Sequence, residues 1–401
     1  MLARLDASTV NHYVAHKQHL ASTSQPGSVV EVTRDIVALH ATLSTSPYLA
    51  LRARIPGFRR EMLEEALYET RELAKLLCMR VTLHAVPSDE VPYFYLGTLS
   101  QVRGAFRDEE LLVQAGLCEP EGADALLREL HHRVLALLSA KGPFTPDEIS
   151  AEIQEMKAKI RYAVGKSYEG SVSIGARLIS GMCARGLLIR SRIRGTWRSN
   201  RYEYAPLADW LPGITLDSLN SREAQIWLVR RYLAVYGPVT LEDVQWWTGF
   251  SRGATKKALE ALEPELVEVE VEGLDSHYLM PADDARRLQE FGRPDVPYVS
   301  LLPGLDPYIM GYRDRRRFLA PEHFSKVFDR AGNAVDSVWA GGRVVGAWGQ
   351  RKDGSVVCHL FERVGEKEQA LLADEARRLE SFLAGEALPP RFGTTFSRTL
   401  E

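Results

Sequence analysis

The sequence predicts an α+β fold in which a helical unit ending in a two-stranded hairpin recurs along the chain. First, the motif at 142–149 (GPFTPDEI) matches 237–244 (GPVTLEDV) in its Gly-Pro turn, apolar residue and Thr followed by acids. Second, each copy lies between a long amphipathic helix and a segment of two strands. Third, short β-rich runs replace this pattern after about residue 285. Helices followed by a two-stranded wing are typical of winged-helix domains.

Chain length and composition limit the class of protein. The chain has 401 residues, and about 100–200 residues per domain predicts roughly two to four domains. The balance of 45% hydrophobic and 26% charged residues is that of a globular protein. No stretch reaches about 18 consecutive apolar residues, and the N-terminus lacks the apolar region of a signal peptide. We therefore expect no membrane association and a cytoplasmic location.

Charge and cysteine content exclude further classes. A net charge of −3 gives no general attraction to a polyanion, so a nucleic-acid site must appear as a local basic patch. The 4 cysteines lie far apart and form no CxxC pair, which argues against a zinc knuckle and a disulfide framework. We expect no metal and no cofactor.

The first unit, residues 1–115, is the most diverged copy of the repeat. Its pattern predicts helices near 7–21, 33–43, 47–54 and 59–68 and strands near 73–77 and 79–86. This order of helices and strands is the order of the later copies. We therefore predict a winged helix here as well.

The second and third units, residues 116–212 and 213–285, contain the two clear copies. Thr145 and Thr240 stand at N-cap positions, with acids in the first helical turn. The remaining predicted elements are helices near 122–140, 173–185, 221–236 and 252–262, and strands near 187–193, 201–205, 266–271 and 277–280. Residues 286–401 are predicted to form a small β-barrel or curled sheet, with a final helix near 367–382.

The hairpin of the second unit is unusually basic. Between Arg185 and Arg201 there are six arginines and no acid, whereas the third hairpin is acidic and should be repelled by DNA. Side chains alternate along a strand, so its arginines would form a ridge facing phosphates, with one Trp near the tip to wedge or stack. The predicted DNA contacts here are Arg190, Arg192, Arg194, Trp197, Arg198 and Arg201.

Two further basic clusters could lie along the same surface. They are the segment 313–317 and the turn that contains Arg351 and Lys352. A solvated hairpin is the alternative interpretation of the basic wing, and surface solubility is the alternative for the two clusters.

Four motifs in order along the chain resemble one known family, the AlkZ/YcaQ-like winged-helix DNA glycosylases. The longest is 301–315 (LLPGLDPYIMGYRDR), and the others are 79–84 (MRVTLH), 243–249 (DVQWWTG) and 343–348 (RVVGAW). The resemblance covers nearly the whole chain. It implies three tandem winged helices and a C-terminal β-barrel, forming a C-shaped molecule around DNA. It also implies removal of alkylated purines and unhooking of interstrand cross-links.

The resemblance places the chemistry in the first unit. Family members have Gln, an apolar residue and then Gln or Asp near the end of a helix, and here His40-Ala41-Thr42 occupies that place. A neutral His40 could position or activate the attacking water, and the Thr42 hydroxyl could assist. The alternative is a core histidine, because Ile36, Leu39, His40 and Leu43 share helical spacing.

Other residues are candidates for the cleft. Arg80, Thr82 and His84 alternate on a predicted strand and could contact DNA together. Within the longest motif the candidates are Asp306, Tyr308 and Arg313, although a turn cap is the alternative role for Asp306.

The predicted function is hydrolysis of the N-glycosidic bond of N7- or N3-alkylated purines by a monofunctional DNA glycosylase. We expect a monomer whose partner is double-stranded DNA carrying such lesions, including bulky adducts or cross-links. The alternative is a non-catalytic winged-helix regulator. Against that alternative, the candidate recognition helix at 173–185 is mostly apolar and small, whereas base readout requires polar or basic side chains.

Overall fold

The computed structural model describes residues 3–21, 27–162, 169–389, 392–394 and 396–400. Within the first unit the elements are β1 (Ala3–Leu5), α1 (Ala7–Lys17), α2 (Val29–Asp35), β2 (Leu39–His40), α3 (Ser46–Arg52), α4 (Arg60–Glu64) with a π-helical turn (Glu65–Glu69), β3 (Leu73–Leu77), β4 (Leu83–Pro87), α5 (Val91–Gly104) and α6 (Asp108–Gln114). Strands β2, β4 and β3 form an antiparallel sheet in that order.

The helix predicted at 33–43 is wrong. Helix α2 starts earlier, at a capping box in which Ser28 accepts a hydrogen bond from the backbone N–H of Glu31. It ends at Asp35, because Val37 has a φ of 73° in the left-handed region, where a helix cannot continue. His40 therefore lies on the short strand β2 and not on a helix.

The second and third units follow the predicted order closely. Their elements are α7 (Ala123–Lys141), α8 (Pro146–Glu152), β5 (Lys159–Tyr162), β6 (Gly170–Ser173), α9 (Gly175–Ala184), β7 (Leu188–Ile193), β8 (Tyr202–Pro206), α10 (Leu207–Trp210), α11 (Ser221–Tyr236), α12 (Leu241–Thr248), α13 (Arg252–Leu262), β9 (Leu266–Val271), β10 (Tyr278–Pro281) and α14 (Ala282–Glu290). Thr145 and Thr240 cap α8 and α12 through capping boxes, as predicted.

The three units share one order of elements. In each, a helix leads to a short bridging segment, two helices follow, and a two-stranded hairpin comes next; in the second unit β5 and β6 separate the two helices. The bridging segment pairs with the second strand of its own hairpin: His40 with His84, Phe144 with Tyr204, and Val239 with Leu279. His40 thus stands at the same place in its unit as Phe144 and Val239 do in theirs.

The C-terminal region is built on an antiparallel sheet. Its elements are β11 (Val299–Leu302), α15 (Phe324–Val327), β12 (Ser337–Ala340), β13 (Arg343–Gln350), β14 (Val356–Leu360) and α16 (Glu366–Leu383). The strands pair in the order β11-β12-β13-β14, and α16 packs against β11 and β14. The edge strands do not pair with each other, so the expected barrel is not closed by the described strands.

Two long-range contacts join segments that lie far apart in the sequence. Strand β1 pairs in parallel with β9, so residues 3–5 add a strand to the third unit. Arg54 and Asp306 form an ion pair with both side chains 0% exposed, which links the first unit to the C-terminal region. Among the described residues, no helix is both long and apolar enough to span a bilayer.

Candidate functional site

A small pocket forms where the first unit meets the third unit and the C-terminal region. Its volume is about 30 Å³, which is room for water but not for a purine base. The lining residues are Ala38, His40, Met79, Arg80, Thr82, His84, Tyr236, Trp246, Trp247, Pro307 and Met310. The pocket brings His40 together with the Arg80, Thr82 and His84 candidates.

Two histidines form the titratable part of the pocket. His40 lies opposite His84 in the pairing of β2 with β4, and their ring centroids are 4.8 Å apart. The two residues are 9% and 8% exposed. Burial, with the nearby charges of His84 and Arg80, holds the pKa of His40 well below its ordinary value, and burial lowers the pKa of His84 to about 4. Both rings are therefore neutral near pH 7.

Backbone contacts orient the two rings. Nδ1 of His84 lies 3.2 Å from the carbonyl oxygen of Thr82 and 3.4 Å from Sγ of Cys78; because a carbonyl can only accept, the first contact favours the proton on Nδ1 and leaves Nε2 as an acceptor. Nδ1 of His40 accepts from the backbone N–H of Thr42 at 3.5 Å, which favours the proton on Nε2. One ring thus presents an acceptor and the other a donor.

Thr42 itself lies outside the pocket lining. Its side chain is exposed, and its contact with His40 is made by the backbone N–H and not by the hydroxyl. Thr82 lines the pocket instead, and its hydroxyl donates to the carbonyl oxygen of Met79 at 2.9 Å. A role for the Thr42 hydroxyl remains a prediction.

Neither Arg80 nor Thr82 lies on the strand that carries His84. Arg80 occupies a tight turn (Met79–Val81) with a φ of 57°, and β4 begins only at Leu83. The expectation of one strand face is therefore wrong, although the turn still brings all three residues to the pocket. The guanidinium of Arg80 packs 4.0 Å from the ring centroid of Trp246.

Aromatic rings from the third unit complete the pocket. Tyr236 ends α11, and Trp246 and Trp247 lie on α12. Sequence reasoning used the QWWTG segment only as a family motif and assigned none of these rings to the site. Two adjacent Trp residues on a short capped helix were the signal that could have indicated them.

Comparison with known proteins gives one consistent answer. The family described as "DNA glycosylase AlkZ-like" matches residues 33–382. The chain belongs to the AlkZ-like DNA glycosylase family. A curated relative, the "Interstrand DNA cross-link repair glycosylase" of Streptomyces sahachiroi, is 28% identical over 347 residues, or 83% of this chain and 84% of the relative. The solved Streptomyces sahachiroi DNA glycosylase AlkZ aligns with a TM-score of 0.74 at 22% identity, covering 97% of this chain and 99% of that chain.

Membership of the AlkZ-like family confirms the resemblance inferred from the four motifs. The protein is accordingly an enzyme, a hydrolase of N-glycosyl bonds, and not a non-catalytic regulator. The solved relative shares its fold over nearly the whole chain.

In this AlkZ-like glycosylase, two residues proposed for the cleft are buried. Asp306 is 0% exposed and accepts two hydrogen bonds from Arg54, at 2.7 and 2.8 Å. Tyr308 is also 0% exposed, and its ring stacks 4.7 Å from that of Trp339. The expectation that they face the cleft is wrong, because Asp306 is buried in an ion pair with Arg54 and Tyr308 is buried against the ring of Trp339. Arg313 is exposed, and its contact with DNA stays a prediction.

Trp197 is not an exposed ring at the tip of the basic hairpin. It is 3% exposed and packs edge-on against Tyr48 and Phe382, at 5.4 and 6.0 Å between centroids. The guanidinium of Arg60 lies 4.3 Å from its ring centroid, and its Nε1 donates to Glu386 at 2.6 Å. The wedge prediction is therefore wrong: the ring joins the hairpin to the first unit and to α16.

The arginines of the hairpin do not form one ridge. A bulge shifts the register between Arg190 and Arg192, so these two side chains do not share a face. Arg190 is half-buried, with its guanidinium 5.6 Å from the ring centroid of Tyr204. The expected single face of Arg190, Arg192 and Arg194 is therefore wrong.

Four arginines of the hairpin, three of them exposed and Arg198 half-buried, are paired with acids. The pairs are Arg192 with Glu69 (3.0 Å), Arg194 with Glu148 (3.1 Å) and Glu203 (2.8 Å), Arg198 with Glu386 (3.4 Å), and Arg201 with Asp147 (3.9 Å). Most of these acids come from other segments, so the local sequence did not reveal them. Arg351 and Lys352 lie exposed after β13, and among the described residues neither forms a salt bridge.

Proposed function

We propose that this enzyme is a monofunctional DNA glycosylase that hydrolyses the N-glycosidic bond of N7- or N3-alkylated purines in duplex DNA, including cross-linked bases. The Streptomyces sahachiroi relative is named an interstrand DNA cross-link repair glycosylase, which supports the cross-link activity. The observation that carries the proposal is the water-sized pocket containing neutral His40 and His84, with three aromatic rings around them.

The reaction requires little acid catalysis. Alkylation at N7 or N3 makes the purine cationic, so the electron pair of the C1′–N bond leaves with the base and neutralises it. The sugar becomes an oxocarbenium-like cation that water attacks at C1′ before releasing its proton to solvent. The protein must therefore hold a water and tolerate positive charge on the sugar.

The two histidines can hold that water between them. Nε2 of His84 can accept a hydrogen bond from the water, and Nε2–H of His40 can donate one to it. Because burial lowers the pKa of both rings, each is a weak base near pH 7. The role of His40 is thus positioning of water more than removal of its proton, with the Thr42 backbone fixing the ring.

Aromatic faces can support the positive sugar and base. Among the described residues that line the pocket there is no carboxylate, so the negative ring faces of Tyr236 and Trp247 are the groups left to stabilise a cation, because the ring of Trp246 already contacts Arg80 and Arg315. The pocket volume also favours attack on a base that stays outside it, which suits a lesion held by a cross-link.

The repeated order of elements supports three winged-helix units in a monomer that binds duplex DNA. Exposed Arg313, Arg351 and Lys352 are the unpaired candidates for phosphate contacts, and Arg192, Arg194, Arg198 and Arg201 would exchange their acidic partners for phosphates.

The experiment is release of free modified base, measured by mass spectrometry, from duplexes carrying N7-methylguanine or an N7-linked cross-link. Wild type is compared with His40→Ala, with His40→Gln, which installs the usual family residue, and with His277→Ala as an exposed control. We expect His40→Ala to slow release by about 10²-fold, because the attacking water loses a group that positions it, His40→Gln to recover part of the loss, and the control to match wild type. Unchanged release by His40→Ala would exclude the role of His40.

A further inference from the structure

Two arginines that contact the same tryptophan beside the pocket lack acidic partners. The guanidinium of Arg80 lies 4.0 Å from the ring centroid of Trp246, and that of Arg315 lies 4.9 Å from it. The guanidinium of Arg315 is also 4.0 Å from the ring centroid of Phe328. In the part of the chain that the structure describes, neither arginine forms a salt bridge, whereas neighbouring Arg316 pairs with Asp314 at 2.7 Å.

Arg315 holds buried hydrogen-bond donors without acceptors. Its Nε and Nη2 have no hydrogen-bond partner among the described residues, and Nη1 reaches only the carbonyl oxygen of Arg313, at 3.4 Å. Burial, opposed by the charge of Asp243 and helped by that of nearby Arg80, lowers the pKa of Arg315 to about 10, so it stays charged near pH 7. A desolvated cation with unused donors is unfavourable unless an anion completes it.

The surrounding residues hold the Arg315 segment on α12. The buried carboxylate of Asp243, in the first turn of that helix, accepts hydrogen bonds from the backbone N–H groups of Arg313 and Asp314, at 2.8 and 2.9 Å. The Arg315 loop is therefore anchored to the helix that carries Trp246.

The turn of Arg80 is fixed to the other end of the same helix. The side chain of Gln101 accepts from the backbone N–H of Arg80 and donates to the carbonyl oxygen of Thr248. Gly249 allows this contact, because a Cβ there would meet the Gln101 oxygen at 2.4 Å. The backbone segments that carry both arginines are thus held in position before a ligand binds, as a preorganised site requires.

We propose that Arg80 and Arg315, with Trp246 as their shared platform, form an arginine clamp that binds the DNA backbone phosphate beside the lesion nucleotide. The proposal rests on the proposed function of the pocket, which Arg80 and Trp246 also line. A phosphate beside Trp246 supplies acceptor oxygens for the guanidinium of exposed Arg80 and a negative charge near both cations. A bound phosphate also reduces electrostatic repulsion, because the positive charge of unneutralised arginines would disfavour the positive sugar that forms beside His40.

The salt dependence of DNA binding tests the clamp. Binding of undamaged duplex DNA is followed by fluorescence anisotropy over a series of NaCl concentrations for wild type, Arg80→Gln, Arg315→Gln and the double variant. Arg377→Gln is the control, because it removes the same charge from an exposed position on α16, away from the pocket. The logarithm of the association constant falls with log[salt] by about 0.9 per neutralised phosphate.

We expect the slope of the double variant to be shallower by about 1, with weaker binding, and that of Arg377→Gln to equal wild type. Equal slopes for the double variant and wild type would overturn the clamp, as would the same change in the control. If Arg315→Gln does not fold, Arg80→Gln decides alone, since exposed Arg80 can be replaced without opening the core.

A second readout separates binding from chemistry. In single-turnover base release, Arg315→Gln, which lies outside the pocket lining, should need more protein to saturate but keep a saturated rate within about threefold of wild type, unlike His40→Ala. A saturated rate that falls as far as that of His40→Ala would contradict a binding role. If wild type releases no base from any alkylated duplex, the proposed function fails while the salt slopes still decide the clamp.

Discussion

Replacing Asp306 by Asn should destabilise the protein without disabling its chemistry. The carboxylate is 0% exposed and accepts two hydrogen bonds from Arg54 at 2.7 and 2.8 Å, and a third from the backbone N–H of Tyr308 at 2.9 Å. Asn keeps the size but removes the charge, so the guanidinium of Arg54 is left buried and uncompensated. Breaking such a pair costs about 3–5 kcal/mol, a large part of a total stability of about 5–15 kcal/mol.

The measurement is urea unfolding followed by tryptophan fluorescence, with base release assayed on the folded variant. Asp314→Asn is the control, because its half-buried side chain pairs with exposed Arg316 and should contribute under about 1 kcal/mol. A double variant, Arg54→Met with Asp306→Leu, should recover much of the loss, since it removes both charges. This reasoning would be refuted if Asp306→Asn had normal stability but released base at least 100-fold more slowly. Asp306 would then act in the cleft.

Three further predictions concern the histidines and the buried tryptophan. The single-turnover rate should stay flat from pH 8 through 6.5 and fall only in more acid solution, because burial holds the pKa of His40 well below 6.5; an inflection near 6.5 would contradict this. Burial lowers the pKa of His84 from 6.5 to about 4, so the unfolded chain binds a proton that the folded chain does not. The free energy of unfolding should therefore drop by about 3 kcal/mol more in wild type than in His84→Gln between pH 6.5 and 4. The same pH dependence in both proteins would show that the His84 ring is solvated in the folded protein. Trp197→Ala should cost about 3–5 kcal/mol of stability while the folded variant keeps its affinity for duplex DNA; weakened binding at unchanged stability would restore a DNA contact.

Regular helices with clear caps were predictable from the sequence. Helices α11 and α13 have the predicted bounds, and Thr145 and Thr240 cap the helices expected of them. Local periodicity and side-chain capping determine such elements, so a short window of sequence contains the information. Helices α5 and α6 were not predicted, because residues 91–114 belong to no repeat of the motif used to divide the chain.

His40 was singled out from the sequence and lines the pocket, but the backbone around it was predicted incorrectly. Apolar residues around His40 fit helical spacing, yet a left-handed Val37 ends α2 before them. Alignment of the three units by their bridging segments would have placed His40 with Phe144 and Val239, each opposite a hairpin strand. A repeat therefore contained better information than periodicity within one short segment.

The basic hairpin shows the opposite error. Its local composition predicted a free cationic ridge, but Glu69, Glu148 and Glu386 come from distant segments and pair with its arginines. Ion pairs with acids that are distant in the sequence cannot be predicted from the sequence of the hairpin alone. The unpaired Arg80 and Arg315 were likewise recognisable only once the third unit placed Trp246 against both.

The parallel pairing of β1 with β9 makes the third unit discontinuous in the chain. Residues 3–5 supply an outer strand to a hairpin more than two hundred and sixty positions later, and Tyr13 and Lys17 of α1 both bond to Asp284 of α14. Closing so long a loop costs conformational entropy, which only later burial and pairing can offset. A fragment cut at residue 212 would therefore leave α1 without its packing surface. Excision experiments should keep residues 3–17 together with residues 221–290, and a ribosome-bound chain would complete this unit only after both parts have emerged.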